Sequence, residues 1–166
     1  PNVVVDPVMI SKSGHHLLPP DAVDVLRTRL LPCARVVTPN AHEAALLSGI
    51  EPRTAADARE AARRIMDSGC GAVLVKGGHL DDEPRAVDVL YDGVDFEEFA
   101  SDRIETTRTH GTGCTYSAAL ATFLGQGCDL VSAVAAAKEY ITGAIVHAPQ
   151  IGHGHSPTHH FWRARI

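Results

Sequence analysis

The chain has 166 residues, 45% of them hydrophobic and 21% charged, enough for one globular core and too apolar for a disordered chain. A formal charge of −5, with no basic run, leaves no electrostatic footprint for nucleic acid or an anionic membrane surface. No apolar run is long enough to span a bilayer and no signal-peptide pattern is present; with four widely spaced cysteines and no Cys-x-x-Cys pair, the expectation is a cytoplasmic protein with reduced thiols.

Val3 to Val5 reads as a strand buried on both faces, and Asp6-Pro7 ends it, because proline cannot donate to the ladder. The polar loop Ser11 to Pro20 precedes a helix over Asp21 to Leu31, with Val23, Leu26 and Leu30 at helical spacing behind Pro19-Pro20. Ala34 to Thr38 is a second buried strand, again stopped by proline. Asn40 to Ser48 is a short helix ended by Gly49, with Asn40 as N-cap and Glu43 at the capping-box position. Thr54 to Ser68 is amphipathic through Ala55, Ala58, Ala62 and Ile65, with Gly69 as its stop.

Ala72 to Lys76 is the third strand, closed by Gly77-Gly78. Val87 to Tyr91 and Val94 to Phe99 flank Asp92-Gly93, a strong hairpin signal, so an antiparallel hairpin is expected beside a parallel sheet. The loop Thr109 to Thr115 then leads into a helix over Ser117 to Leu124. After the turn Gly125 to Asp129 comes a long helix presenting Leu130, Val134, Ala137, Ile141 and Ile145 on one face. The tail from Gly152 is rich in glycine and histidine and ends with Phe161-Trp162, expected to dock on the core. The alternation is βαβ grammar, and no linker divides residues 1–166, which read as a single domain.

In parallel α/β sheets ligands bind at the carboxyl ends of strands. Asp6, the segment Thr38 to Glu43, and Lys76 to His79 all fall at such ends, a set suited to a Mg-nucleotide: carboxylates hold hydrated Mg²⁺ and a lysine neutralises phosphate oxygens. The Gly111-Thr112-Gly113 stretch opens a helix whose unpaired amides and dipole suit a phosphoryl group, and Cys114 falls in the first turn, where the dipole favours a thiolate. Blander readings accompany each feature. Gly-x-Gly is common loop punctuation, Asp before Pro a common strand terminator, Asn40 with Glu43 a sufficient helix cap, and Lys76 a possible solvated strand end. His153, His155, His159 and His160 carry no ligand spacing that requires a metal, and Cys33, Cys70 and Cys128 read as buried or half-buried small hydrophobes.

Five motifs in order resemble the hydroxymethylpyrimidine/phosphomethylpyrimidine kinases of thiamine biosynthesis. They are Asp6-Pro7-Val8-Met9 with Lys12-Ser13-Gly14, Thr38-Pro39-Asn40 with Glu43, Val75 to His79, His110 to Cys114, and Gly152-His153-Gly154-His155 with Phe161-Trp162. The resemblance implies a ribokinase-like α/β fold, three αβα layers around a mostly parallel sheet. It also implies ATP- and Mg²⁺-dependent phosphorylation of hydroxymethylpyrimidine and then of its monophosphate. By motif matching, Gly111, Thr112 and Gly113 would form an anion hole and Cys114 would stand where relatives use an aspartate base. Asp6, Asn40 and Glu43 would organise Mg²⁺, Lys76 and Gly78 would line the nucleotide path, and the adenine would lie near the long helix.

Because such kinases are longer and Val3 to Val5 stands near the first residue, the chain is expected to be the C-terminal portion of the fold. It would associate through that strand with the remaining part or with a second copy. The same residues also suit two other functions: a non-catalytic nucleotide- or pyrimidine-binding module, and a pyridoxal kinase-like specificity.

Overall fold

The computed structural model describes residues 2–10, 15, 17–78 and 85–164. It contains two compact units, Pro1–Ala100 and Ser101–Ile166.

The first unit is built on a five-stranded sheet in the order β1-β2-β3-β4-β5. Its strands are β1 (Val4–Val5), β2 (Val36–Val37), β3 (Val73–Val75), β4 (Arg85–Tyr91) and β5 (Phe96–Asp102). The first three are parallel, with Val4 opposite Val36 and Val37 opposite Val73, and β4 pairs with β3 antiparallel, Val75 opposite Val89. This is the mixed sheet the sequence predicts. Its central strands are uniformly apolar because both faces are covered; Val36, Val37, Val73, Leu74 and Val75 are fully buried.

Helices α2 (Ala41–Ser48) and α3 (Ala55–Met66) belong to this unit. Small residues let α3 lie close to the sheet: Ala58, Ala61, Ala62 and Ile65 join Val37, Val73, Val75 and Val89 in one core. Both helices open with complete capping boxes, Asn40 with Glu43 and Thr54 with Asp57.

Two expectations change in detail. The helix expected over residues 21–31 is α-helical only as α1 (Pro20–Val25), continuing as a π turn Leu26–Leu30 and a 3₁₀ turn Leu31–Cys33. The Thr28 hydroxyl donates to the Asp24 carbonyl at 2.7 Å, competing with the backbone ladder, and Pro32 brings no amide to continue it. The hairpin turn is also longer than Asp92-Gly93. The Asp92 carboxylate accepts the amides of Val94 and Asp95, each at 2.8 Å, so β5 begins at Phe96 and Val94 stays in solvent.

The second unit pairs α4 (Thr112–Gly125) with α5 (Leu130–Val146). Leu120 and Leu124 of α4 are buried, as are Ala133, Val134, Ala137, Ile141 and Ala144 of α5. The buried face of α5 is thus turned slightly from the expected one, taking Ala133 and Ala144 in place of Leu130 and Ile145, because alanine admits closer helix approach. The tail docks on α5 through Trp162, whose Nε1 donates to the Tyr140 carbonyl at 3.0 Å and whose indole stacks on His147 with centroids 5.3 Å apart. Phe161, expected to dock with it, is exposed. Among the described residues no helix is long and apolar enough to cross a membrane. All four cysteines are free; Cys70 is buried and Cys128 half-buried, but Cys33, expected to be covered, is exposed.

Candidate functional site

In the first unit, three parallel strands deliver their carboxyl ends to one place. Asp6 follows β1, Thr38-Pro39-Asn40 follows β2, and Lys76 follows β3, where it forms a parallel bridge with Asn40. The Lys76 ammonium lies 2.8 Å from Asp6 Oδ1, and both side chains are largely shielded, at 11% and 15% exposure. A pair so shielded is coupled far more strongly than one at the surface. Thr38 Oγ1 lies 3.4 Å from the same carboxylate oxygen, and the Lys76 amide donates to the Pro39 carbonyl at 2.8 Å.

Glu43 is buried on the first turn of α2. Its Oε2 accepts the Asn40 amide at 2.8 Å while the Asn40 Oδ1 accepts the Glu43 amide at 2.9 Å. Burial pushes the Glu43 carboxyl above its ordinary value, against the Asn40 hydrogen bond and the Lys76 charge, and the negative charge of Asp6 pushes the same way as burial. The cap and the carboxylate cluster are therefore one arrangement.

Sequence reasoning missed Asp88. This buried carboxylate of β4 accepts the Gly77 amide at 2.8 Å and so fixes the chain between Lys76 and Gly78. Its signal was legible: an aspartate in the middle of the apolar run Val87 to Leu90 must be satisfied inside the core. Gly78 itself is exposed, in a turn. His79 and Lys12-Ser13-Gly14, named with these motifs, lie outside the described residues.

The second unit holds the glycine loop. Gly111 is the N-cap of α4 with φ +79°, a left-handed conformation, and a Cβ there would meet nothing within 4 Å. Glycine is required by the backbone rather than by space. Thr115 donates its amide to the Gly111 carbonyl at 2.9 Å, and Thr112 makes a long bond to Thr109 at 3.4 Å. Among the described residues the amides of Gly113 and Cys114 have no acceptor within the chain. They open at the positive end of a 14-residue helix.

Cys114 is exposed and lines a groove of about 480 Å³ with Thr115, Phe123, Tyr140 and His160. The tail closes on this loop. His110 donates its amide to Ser156 and accepts that of Thr158, while His155 Nδ1 lies 3.0 Å from the Thr107 carbonyl. The His155 ring thus holds backbone, and His160 Nε2 lies 3.1 Å from Thr115 Oγ1. This brace was not read from the sequence.

Among known proteins, the hydroxymethylpyrimidine/phosphomethylpyrimidine kinase of Rhizobium meliloti is 51% identical, over 96% of this chain and 61% of that protein. The Bacillus subtilis pyridoxal kinase, solved as an ADP complex, superposes with a TM-score of 0.88 at 41% identity, covering 98% of this chain and 60% of that one. The Staphylococcus aureus pyridoxal kinase, solved with AMP-PCP and pyridoxal, gives a TM-score of 0.90 at 35% identity, over 99% of this chain and 59% of that one. The fold is the ribokinase-like α/β fold that the motifs implied, and the chain spans about 60% of the length of these relatives. The phosphomethylpyrimidine kinase family model matches residues 1–159, and the chain belongs to that family.

Proposed function

We propose that the protein phosphorylates hydroxymethylpyrimidine, and then its monophosphate, at the expense of ATP, as a step of thiamine biosynthesis. The observation that carries this reading is the first turn of α4: two amides open at the helix's positive end, beside an exposed thiol that lines a groove. Phosphoryl transfer needs little covalent chemistry from a protein. It needs a place for charge spread over three equatorial oxygens and a group that orients the attacking hydroxyl.

In this mechanism the amides of Gly113 and Cys114, with Gly111 and Thr112 shaping the turn, hold the oxygens of the moving phosphoryl. Cys114 as thiolate takes the hydroxymethyl proton, the substrate oxygen bonds to the γ-phosphorus, and the bond from that phosphorus to the β–γ bridging oxygen breaks. ADP leaves with the electron pair. Lys76 and Gly78 line the nucleotide's phosphates, and the adenine lies along α5.

Asp6, Asn40 and Glu43 are assigned to Mg²⁺ and its waters. The donor set fits, being oxygen-only, with two carboxylates faced by a single ammonium and the Glu43 carboxyl raised by its burial and, to a smaller degree, by the charge of Asp6, both of which a cation there would offset. Two carboxylates suit an ion that keeps most of its waters. Once bound, Mg²⁺ would neutralise and orient the β- and γ-phosphates.

β1 (Val4–Val5) is the edge of the sheet among the described residues, so a strand from a further part of the protein or from a second copy would add there. Free thiols fit a cytoplasmic location. A second reading, pyridoxal phosphorylation, is favoured by the pyridoxal kinases that superpose on the chain.

The test is Cys114→Ala in the full-length protein, assayed with hydroxymethylpyrimidine and pyridoxal in parallel. Turnover should fall roughly 10²–10⁴-fold while ATP still binds. An unchanged turnover number would remove Cys114 from the mechanism. ATP binding without turnover of either ring by the unaltered protein would favour a non-catalytic binding module.

A further inference from the structure

His160 makes a contact that docking of the tail does not require. The tail is held to α5 by other groups: Trp162 Nε1 on the Tyr140 carbonyl at 3.0 Å, the His159 amide on the Ala144 carbonyl at 2.9 Å, and the Tyr140 hydroxyl on the His160 carbonyl at 2.6 Å. The imidazole takes no part in these bonds. It reaches instead to α4, where Nε2 lies 3.1 Å from Thr115 Oγ1, with Thr158 Oγ1 3.4 Å from the same hydroxyl.

Thr115 immediately follows Cys114, and its amide closes the first hydrogen bond of α4 on Gly111. A helical threonine commonly turns its hydroxyl back onto the carbonyl four residues earlier, as Thr122 does here onto Ala118 at 2.8 Å. For Thr115 that carbonyl is Gly111, the pivot of the loop. The side-chain bonds of Thr115 run to the tail instead, leaving the Gly111 carbonyl to its backbone partner. Either tautomer of the ring serves, since Nε2 can accept the threonine proton or donate its own.

We propose that His160 is a positioning residue: through Thr115 it fixes the first turn of α4, and with it the thiol of Cys114 and the open amides of Gly113 and Cys114. This rests on the reading of that turn as the seat of the transferring phosphoryl. A bond that fixes groups used in the transition state affects kcat more than KM.

The experiment compares His160→Ala and His160→Gln with the unaltered full-length protein; glutamine can place a polar atom near the position of Nε2. Three readouts are taken: steady-state kinetics with ATP and hydroxymethylpyrimidine, hydrogen exchange at the Thr115 amide, and emission of Trp162, the only tryptophan of these 166 residues, read as the difference between each variant and the unaltered protein. For His160→Ala, kcat should fall about tenfold and exchange at Thr115 quicken about tenfold, the weight of one lost hydrogen bond. KM for ATP should stay within about twofold. Trp162 emission should not move, and His160→Gln should recover kcat and exchange to within about threefold.

The proposal is overturned if His160→Ala matches the unaltered protein in exchange and kcat, or if His160→Gln is as impaired as His160→Ala. It is also overturned if Trp162 emission shifts to that of a solvated indole, because the tail has then come away as a whole. If the unaltered protein phosphorylates no pyrimidine, the kinase reading fails, and exchange at Thr115 with its recovery in His160→Gln decides the role of His160 alone.

Discussion

The two units hold their reactive groups in opposite ways. In the first, strand ends bring opposite charges together inside the fold: Asp6 meets Lys76, and Glu43 is bonded to the Asn40 amide. In the second, the groups of interest are left open, an exposed thiol and two amides without acceptors among the described residues, and their geometry is held by the tail. Charge can be stored where protein partners satisfy it. A cradle for a transient anion must keep its donors unspent, so its order has to come from neighbours that do not consume them.

Removing one member of the shielded Asp6–Lys76 pair should do the most damage. Lys76→Met leaves Asp6 shielded and without its cation, and should destabilise the protein by about 3 kcal/mol in chemical denaturation. The double variant Asp6→Asn/Lys76→Met should regain much of that loss, since a neutral pair carries no uncompensated charge. A single variant as stable as the parent would mean that water already screens the pair.

Gly143→Ala attacks the second unit through its brace. A Cβ at that position would run into the Trp162 ring, so the indole must leave its seat. The expected cost is about 2 kcal/mol, an overpacking effect offset in part by alanine's better helix propensity. Trp162 emission should shift to longer wavelength in the same variant; an unmoved spectrum would show that the tail is held elsewhere.

The smallest effect sharpens the comparison through one helix cap in each unit. Hydrogen bonds from Thr54 and Arg53 hold the Asp57 carboxyl below the ordinary 3.8, and those from Ser132 do the same for Asp129. A depressed carboxylate contributes stability that is present above its unfolded value and lost as pH falls through the lower, folded one. Asp57→Asn and Asp129→Asn should therefore melt below the parent at pH 7 and converge with it at pH values under 3.8, as followed by thermal melts. A difference that persists into that acid range would assign the loss to the shape of the side chain rather than its charge.

The parallel strands and capped helices were readable because each leaves a local mark: an unbroken valine run, a proline stop, a capping pair. The residues at strand ends followed from topology, which is why Asp6, Asn40, Glu43 and Lys76 could be grouped without coordinates. What stayed hidden depends on contacts between distant segments. Nothing near Thr115 announces that His160 will reach it, and nothing in the tail marks His155 for the Thr107 carbonyl. The hairpin itself was legible, and only its turn is longer than expected, because the Asp92 carboxylate competes for two amides that a two-residue turn would leave to the strands.

The seat of Trp162 also imposes a rule on related chains. Position 143 and position 162 share one volume, so the absence of a side chain at the first is the condition for the largest side chain at the second. Descendants that keep the indole should be unable to accept even a methyl at 143, whereas lineages that have replaced it with something small should drift freely there. The pair should therefore change together in evolution, a correlated substitution visible between a helix and a tail that no strand or loop signature connects.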